Sequence, residues 1–499
     1  MTTFSSVDEH DEQLLQNVRP SAWRSPTPAA RYNLVAIGGG TAGLISAIGT
    51  AGLGGRAALV ERSLMGGDCL VVGCVPSKTL LRAAKAAADV RNAERFGVRI
   101  NGAVEVDFAA VMARVRAVRA QISPVDSAAR YSGAGVDVFF GDARFTGPDT
   151  LQAGDHVLRF SKAVIATGTR PVAPPIPGLK EAGYLTNESL FSLTERPRRL
   201  AVIGGGPIGC ELAQALQRLG VAVTVFEMTD HVLPLEDADA AVIVQNALVS
   251  DGVRLVLNAK IERVETLAAE KVLVHAGGRE TVDAILVAAG RAPNIEGLGL
   301  EALGVETSKG GVVVDDFMRT TNPRIFAAGD VALRARFTHT ADFSARLVIQ
   351  NALFLGRRRW SGLVVPWATY TDPEVAHVGL YAHEAEARGL TVQTLTVPLA
   401  ENDRAHADGI GEGFVRVHVR AGSDKILGAT IVGPHAGDLI SELTLAMTNR
   451  IGLLGVAATI HPYPTLAEAI RRAADAHNRT RLSPTVKSLS ARWLAWRRR

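Results

Sequence analysis

Cysteine is nearly absent from this chain: 499 residues carry three. That excludes the dense disulfide framework of a small secreted protein. Long apolar runs are missing too, and no stretch reaches the length needed to span a bilayer. The first 30 residues are polar and carry Asp8, Glu9, Asp11 and Glu12, so they lack the apolar core of a signal peptide. A cytoplasmic location is the default expectation. Nor is there a strong charge of one sign: the formal net charge is +4. This argues against bulk nucleic-acid binding, and no nucleic-acid-binding motif is present. What remains is a chain of ordinary hydrophobicity, long enough for two to four domains.

Two of the three cysteines fall in one short run, Gly66-Gly67-Asp68-Cys69-Leu70-Val71-Val72-Gly73-Cys74-Val75-Pro76-Ser77-Lys78. On a regular α-helix, Cα atoms five residues apart lie roughly 8.5 Å from each other. A disulfide needs them within about 7 Å. If Cys69 and Cys74 bond, a helix there must be distorted or must start between them. Gly73 permits the bend and Pro76 suits a first helical turn. Two packed thiols without chemistry and a zinc site are the other readings. Zinc usually takes four ligands at tighter spacing, and no second cysteine pair exists. Cys210 stands alone and reads as a packed small residue.

The context of the pair favours redox chemistry. Tyr32 to Ile37 reads as an apolar strand. Gly38-Gly39-Gly40-Thr41-Ala42-Gly43 turns it into a helix, and a second strand, Arg56 to Val60, ends at Glu61. Glycines here allow a tight turn, backbone approach to a pyrophosphate and close helix packing. The helix N-terminus offers N–H groups to phosphate, and Glu61 stands where a carboxylate grips ribose hydroxyls. The unit recurs: Leu200 to Ile203, then Gly204-Gly205-Gly206-Pro207-Ile208-Gly209, then Val221 to Phe226 ending at Glu227. The acidic residue follows the first glycine by 23 positions in both copies. Each copy has a later partner strand, Ala163 to Gly168 and Ile285 to Gly290, followed by a basic residue and a proline. This is the pattern of an internal duplication.

Taken together, these motifs over about residues 31–480 resemble the class I pyridine nucleotide–disulfide oxidoreductases, which include glutathione reductase, dihydrolipoamide dehydrogenase and mercuric reductase. The resemblance implies an α/β fold with two Rossmann-like dinucleotide-binding domains, for FAD and NAD, plus a C-terminal α+β dimerisation domain. The implied boundaries are an N-terminal extension (1–30), an FAD domain in two parts (31–187 and 311–363), an NAD domain (188–310), a dimerisation domain (364–483) and a basic tail (484–499). FAD would lie on Gly38, Gly40, Gly43, Glu61, Thr167 and Gly168. Asp330, in Asn322-Pro323-Arg324-Ile325-Phe326-Ala327-Ala328-Gly329-Asp330, would hold the ribityl chain. Thr338 would open a helix facing the flavin. The nicotinamide nucleotide would lie on Gly204, Gly206, Gly209, Glu227 and Gly290. Cys74 would be the thiol next to the flavin and Cys69 the exchange thiol. Lys78 would sit near flavin N5, paired with Glu211. A carboxylate at Glu227, with no Arg or Lys in the four residues that follow, implies NADH over NADPH. A homodimer is implied, with a small-molecule or metal-ion electron acceptor.

The chain departs from the family at His461-Pro462-Tyr463-Pro464-Thr465-Leu466-Ala467-Glu468. Thiol–disulfide members have His-x-His-Pro-Thr-x-x-Glu, whose second histidine is the acid–base catalyst oriented by the glutamate. Tyr463 occupies that position. A phenol near pKa 10 is a poor proton acceptor at neutral pH. Glu468 remains without its usual partner. This favours an acceptor needing no proton delivery, and a mercuric reductase-like activity ranks first. A dihydrolipoamide dehydrogenase-like activity ranks second, and a redox-sensing flavoprotein with little turnover third. Against mercury, the tail lacks the cysteine pair of mercuric reductases. No resident metal site is expected. The tail, with Trp493, Leu494, Trp496 and Arg497 to Arg499, reads as a mobile charged terminus, with peripheral membrane contact or packing on a partner subunit as alternatives.

Overall fold

The computed structural model describes residues 8–267 and 270–498. The chain divides into two compact units, Met1–Asp230 with Asp251–Gly362, and His231–Ser250 with Leu363–Arg499.

The first unit holds both dinucleotide folds. Its larger sheet runs in the order Val136–Phe140, Ala57–Glu61, Tyr32–Ile37, His156–Ile165, all parallel. The C-terminal part of His156–Ile165 also pairs in parallel with Ile325–Ala327, and its N-terminal part begins an antiparallel extension through Thr150–Ala153 and Ala143–Gly147. Strands of continuous Val, Leu, Ile and Ala, such as Ala57–Glu61, are buried along their whole length, as parallel strands covered on both faces require. The second parallel sheet runs Arg254–Val256, Ala222–Phe226, Arg199–Ile203, Ala284–Val287. A three-stranded antiparallel sheet of Ile261–Leu267, Glu270–His275 and Gly278–Val282 accompanies it. The strands expected from the apolar runs are present with ends shifted by up to three residues, except that the one expected from Ala163 starts at His156.

The last glycine of each fingerprint fixes how close the helix comes to its strand. A Cβ on Gly43 would lie 1.8 Å from the Gly38 carbonyl oxygen, and one on Gly209 would lie 1.9 Å from that of Gly204. No side chain fits. The helices Thr41–Gly52 and Pro207–Arg218 start at Gly40 and Gly206, neither of which offers a capping side chain. Their first-turn N–H groups therefore face outward without a side-chain acceptor at the cap, as an anion site needs. The two folds are stitched by a short antiparallel pairing of Thr169–Pro171 with Arg291–Pro293. These are the two segments that follow the later strand of each copy.

The second unit is built on a five-stranded antiparallel sheet ordered Pro366–Thr369, Glu374–Gly379, Ile426–Gly433, Phe414–Arg420, Val392–Pro398. Its central strand, Ile426–Gly433, is buried throughout. Ile440, Leu443, Leu453, Ile470 and Ala473, from three helices, complete the core. The segment His231–Ser250, sequentially inside the second nucleotide fold, belongs to this unit. Trp367 Nε1 and Tyr381 Oη donate to the two oxygens of Glu236 at 2.9 and 2.6 Å. Arg416 donates to Asp237 at 3.0 Å and also pairs with Asp239. The tail forms a helix, Pro484–Arg497, with Ser483 capping the Val486 N–H and every side chain of the helix at least partly exposed. Among the described residues no helix is long and apolar enough to cross a membrane.

Arg416 is 14% exposed and serves two carboxylates. Its replacement in Arg416→Met is expected to lower unfolding stability by roughly 1–3 kcal/mol, the range for hydrogen bonds to charged groups, discounted at the exposed Asp239. Arg416 holds the Asp239 carboxyl below its usual range. That contribution is present above the unfolded carboxylate pKa and is lost as pH falls through the lowered folded value. The gap between wild type and variant should therefore narrow in acid. Urea unfolding at pH 7 and pH 3 checks both statements, and equal stability at pH 7 would refute them.

Candidate active site

The two thiols sit on either side of a helix break. Cys69 lies within a five-residue helix, Gly67–Val71, and Cys74 is the first residue of the next, Cys74–Arg91. Gly73 lies between them as the cap of the second helix. A Cβ there would come within 2.7 Å of the Asp68 carbonyl oxygen. The break expected from the spacing is present, and all three cysteines are free thiols in this structure.

Three polar partners converge on Cys74. Its Sγ lies 3.2 Å from Thr338 Oγ1, at the start of the helix Thr338–Leu353. The Cys69 thiol, also within hydrogen-bonding reach, is the largest influence pushing the Cys74 thiol down to about 6. Thr338 and the Lys78 cation lower it further, while burial and the Glu211 carboxylate oppose them. Cys69 is pushed the other way, chiefly because its proton serves Cys74. At neutral pH the pair therefore shares one proton, with Cys74 as thiolate and Cys69 as thiol. Lys78 Nζ donates to Glu211 Oε2 at 2.8 Å. This bond joins the Cys74–Arg91 helix to Pro207–Arg218, so one ion pair spans the redox motif and the second nucleotide fold. Glu211 is nearly buried and Lys78 about a third exposed. Cys210 is buried, with its thiol on the Gly205 carbonyl at 3.1 Å.

The two acidic fingerprint residues repeat one geometry. Glu61 accepts from the N–H groups of Gly39 and Ser63. Glu227 accepts from Gly205 at 2.6 Å and Thr229 at 3.0 Å. Each is bonded to the middle glycine of its own turn and to the residue two positions on. A carboxylate has about four acceptor sites, so each keeps capacity for ribose hydroxyls. Gly40 and Gly206 have open space where a Cβ would be; the nearest atom to either is 3.8 Å away. These features fit two bound dinucleotides. Thr167 and Gly168 bond Asn294: Thr167 Oγ1 donates to its carbonyl at 2.6 Å, and Asn294 N–H donates to Gly168 O at 3.0 Å. Gly290 has open space around it.

The sequence reading missed Arg291. Its guanidinium pairs with Asp68, next to Cys69, and donates to Thr169 Oγ1 at 2.7 Å and Thr169 O at 3.0 Å. Asp330 lies in the same electrostatic cluster. Burial raises its carboxyl, and Arg291 is the main charge opposing this. The repeated Gly-basic-Pro segments carried the signal, because their duplication marked them as joints.

In the second unit, Tyr463 is 69% exposed and its Oη donates to Asp403 Oδ2 at 2.7 Å. That bond raises its pKa further above the phenol value. Glu468 does not meet it: Oε1 accepts from Arg471 and Arg472, each at 3.3 Å. His461 bonds Glu442 at 2.8 Å. Among the described residues no group of three or more His, Cys, Asp or Glu side chains is placed to hold a metal ion.

The Lys78–Glu211 pair gives a test with opposite signs. Lys78→Met should raise the titration midpoint of the Cys74 thiol, and Glu211→Gln should lower it, each by about half a pH unit or more. The pH dependence of Cys74 alkylation in the reduced protein measures both. Shifts of the same sign would refute the arrangement.

Residues 32–345 match the model of the pyridine nucleotide-disulphide oxidoreductases, and residues 365–474 match that of their dimerisation domain. The chain is 35% identical over 451 residues to a mercuric reductase of Staphylococcus aureus, covering 89% of this chain and 82% of the relative. It is 34% identical over 467 residues to a dihydrolipoyl dehydrogenase of Bacillus subtilis, covering 89% and 98%. Among solved structures, it resembles the HOCl-induced flavoprotein disulfide reductase RclA of Escherichia coli, with TM-score 0.79, 28% identity and coverage of 89% and 99%. LpdA of Mycobacterium tuberculosis gives TM-score 0.81, 30% identity and coverage of 90% and 99%. The family is FAD-dependent and takes its electrons from NAD(P)H. The chain belongs to the pyridine nucleotide-disulphide oxidoreductase family.

Proposed function

We propose that this protein is a homodimeric reductase that takes two electrons from NADH and delivers them through the Cys69–Cys74 pair to a soft metal ion, with Hg(II) the first candidate. FAD, held by the Gly38–Gly43 turn, Glu61 and Asp330, would supply the two-electron relay between nicotinamide and disulfide. The overall balance is NADH plus Hg(II) giving NAD⁺, elemental mercury and one proton.

One observation carries the choice of acceptor: the position of the family's acid–base residue is filled by a tyrosine whose proton is held by Asp403. A disulfide acceptor releases a thiolate that must be protonated, and a group that titrates near neutrality speeds this. A metal ion bound by thiolates needs no such proton. The Cys69 thiol, Thr338 and Lys78 favour the thiolate form of Cys74, and soft ions select sulfur ligands. The names of the relatives support the same reading, since a mercuric reductase is among them. A dihydrolipoamide dehydrogenase-like activity is the second reading, favoured by the nearly full-length match to the Bacillus subtilis enzyme. NADH is preferred because the Glu227 carboxylate, fixed by Gly205 and Thr229, would repel a 2′-phosphate.

Anaerobic reduction by NADH followed by Hg(II) or lipoamide separates the two readings. Hg(II) should reoxidise the protein at least tenfold faster than lipoamide. Cys69→Ser and Cys74→Ser should each abolish that step while FAD stays bound. Tyr463→His should raise lipoamide turnover without raising that with Hg(II). Faster reoxidation by lipoamide in wild type would overturn the metal reading, and equal kcat/KM for NADPH would overturn the cofactor preference.

A further inference from the structure

The segment before the first strand is tied to the redox motif. Arg119, on the helix Phe108–Ile122, has its side chain 1% exposed and serves two acceptors. Its Nη2 donates to Asp11 Oδ1 at 2.9 Å, and its Nη1 donates to the Val71 carbonyl at 2.9 Å. Asp11, also 1% exposed, belongs to the N-terminal helix Glu9–Val18. Val71 is the last residue of the helix that carries Cys69. In an uninterrupted α-helix its carbonyl would accept from the N–H four residues on, that of Val75. Here a guanidinium from another helix serves that carbonyl, and the chain turns at Val72 and Gly73 before restarting at Cys74. Four further bonds fasten the same N-terminal segment nearby. Met65 N–H donates to Val18 O at 3.2 Å, Arg19 donates to the carbonyls of Arg62 and Ser63 at 2.8 and 2.6 Å, and Asn17 donates to Ser123 at 2.8 Å.

We propose that Arg119, held in place by Asp11, is a positioning residue that fixes the helix break bringing Cys69 against Cys74, so that the N-terminal helix sets the chemistry of the thiol pair. The inference rests on the redox role proposed above. Its effect is transmitted by position. The groups facing Cys74 are Cys69, Thr338, Lys78 and Glu211, and Asp126 faces Cys69. The Cys69 thiol has the largest lowering effect on Cys74, and it is the group that the break puts in reach.

The test uses the full-length, FAD-loaded protein, reduced with dithiothreitol, and the pH profile of Cys74 carbamidomethylation read by peptide mass spectrometry. Wild type should show a midpoint near pH 6. The double variant Asp11→Leu/Arg119→Met removes both charges, a replacement that buried ion pairs often tolerate. With FAD content unchanged, its midpoint should rise by about one pH unit or more, a tenfold loss of thiolate well below the midpoint. Arg119→Lys keeps a cation for Asp11 but lacks the fork that reaches two acceptors. It should shift in the same direction, and it carries the test if the double variant does not fold. Asp8→Asn breaks the neighbouring ion pair with Arg116, 2.5 Å long, on the same N-terminal segment. It leaves in place the Arg119 guanidinium that serves the Val71 carbonyl, so this variant should keep the wild-type midpoint. A folded, FAD-loaded double or Lys variant with the wild-type midpoint would overturn the proposal, as would an equal shift in Asp8→Asn. Peptide mapping of oxidised wild type separates the two levels. A missing Cys69–Cys74 disulfide ends the redox reading itself, whereas a disulfide with unmoved midpoints ends only the role of Arg119.

Discussion

The site depends on one interruption of regular structure, the break between the helices Gly67–Val71 and Cys74–Arg91. A continuous helix would hold the two Cα atoms roughly 8.5 Å apart, beyond disulfide reach. It would also separate the thiols, removing the hydrogen bond that does most to make Cys74 a thiolate. The break is fixed from several sides. Gly73 has no room for a side chain, and Gly66 donates its N–H to Gly39 O at 2.8 Å. A Cβ on Gly67 would lie 2.7 Å from Gly40 Cα. The redox motif therefore rests on the first dinucleotide turn, and a shift in one displaces the other.

From there the coupling extends into the second nucleotide fold. Lys78–Glu211 and Asp68–Arg291 both run from the redox helices to that fold. They differ in character. Glu211 is nearly buried and Lys78 partly exposed, so the pair sets a local field on Cys74 as well as a tether. Asp68 is about half exposed, and such a pair adds little stability by itself. Its weight comes from Arg291 also holding Thr169 and lying beside the buried Asp330. One guanidinium thus links Asp68 of the redox motif and Thr169 to the surroundings of Asp330, which the resemblance assigns to the flavin cofactor.

Much of this was legible because the fold repeats itself. The glycine turns and the acidic residue 23 positions later announced two sheets whose registers the structure shows. Lys78 and Glu211 could be paired only through family resemblance, since 133 positions separate them in the chain. The rest was hidden for physical reasons. Asp11 and Arg119 look like ordinary charged residues on surface helices, and nothing in their local sequence says that both are buried. Helix Ala238–Ser250 follows the second fingerprint in sequence, yet it belongs to the C-terminal unit through Glu236, Asp237 and Asp239. Such partners are chosen by long-range packing, which local pattern does not encode.

The donor and acceptor sides of the thiol pair are not equally provided for. Toward the donor, Cys74 has a cation, a hydroxyl and a neighbouring thiol that together favour its anion. In the second unit, where the resemblance expects the family's acid–base pair, Glu468 Oε1 accepts from two arginines, its buried Oε2 has no hydrogen-bond partner among the described residues, and the Tyr463 hydroxyl donates to Asp403. Restoring a histidine at 463 would put an imidazole back where the resemblance expects one, and Glu468 could orient it through its unpartnered Oε2 while Oε1 keeps Arg471 and Arg472. A buried carboxylate oxygen without a donor costs free energy that such a bond would recover. The orienting glutamate is thus retained, and the departure from the family lies at Tyr463 and its bond to Asp403. A change confined to the proton carrier is the one that an acceptor needing no proton would tolerate.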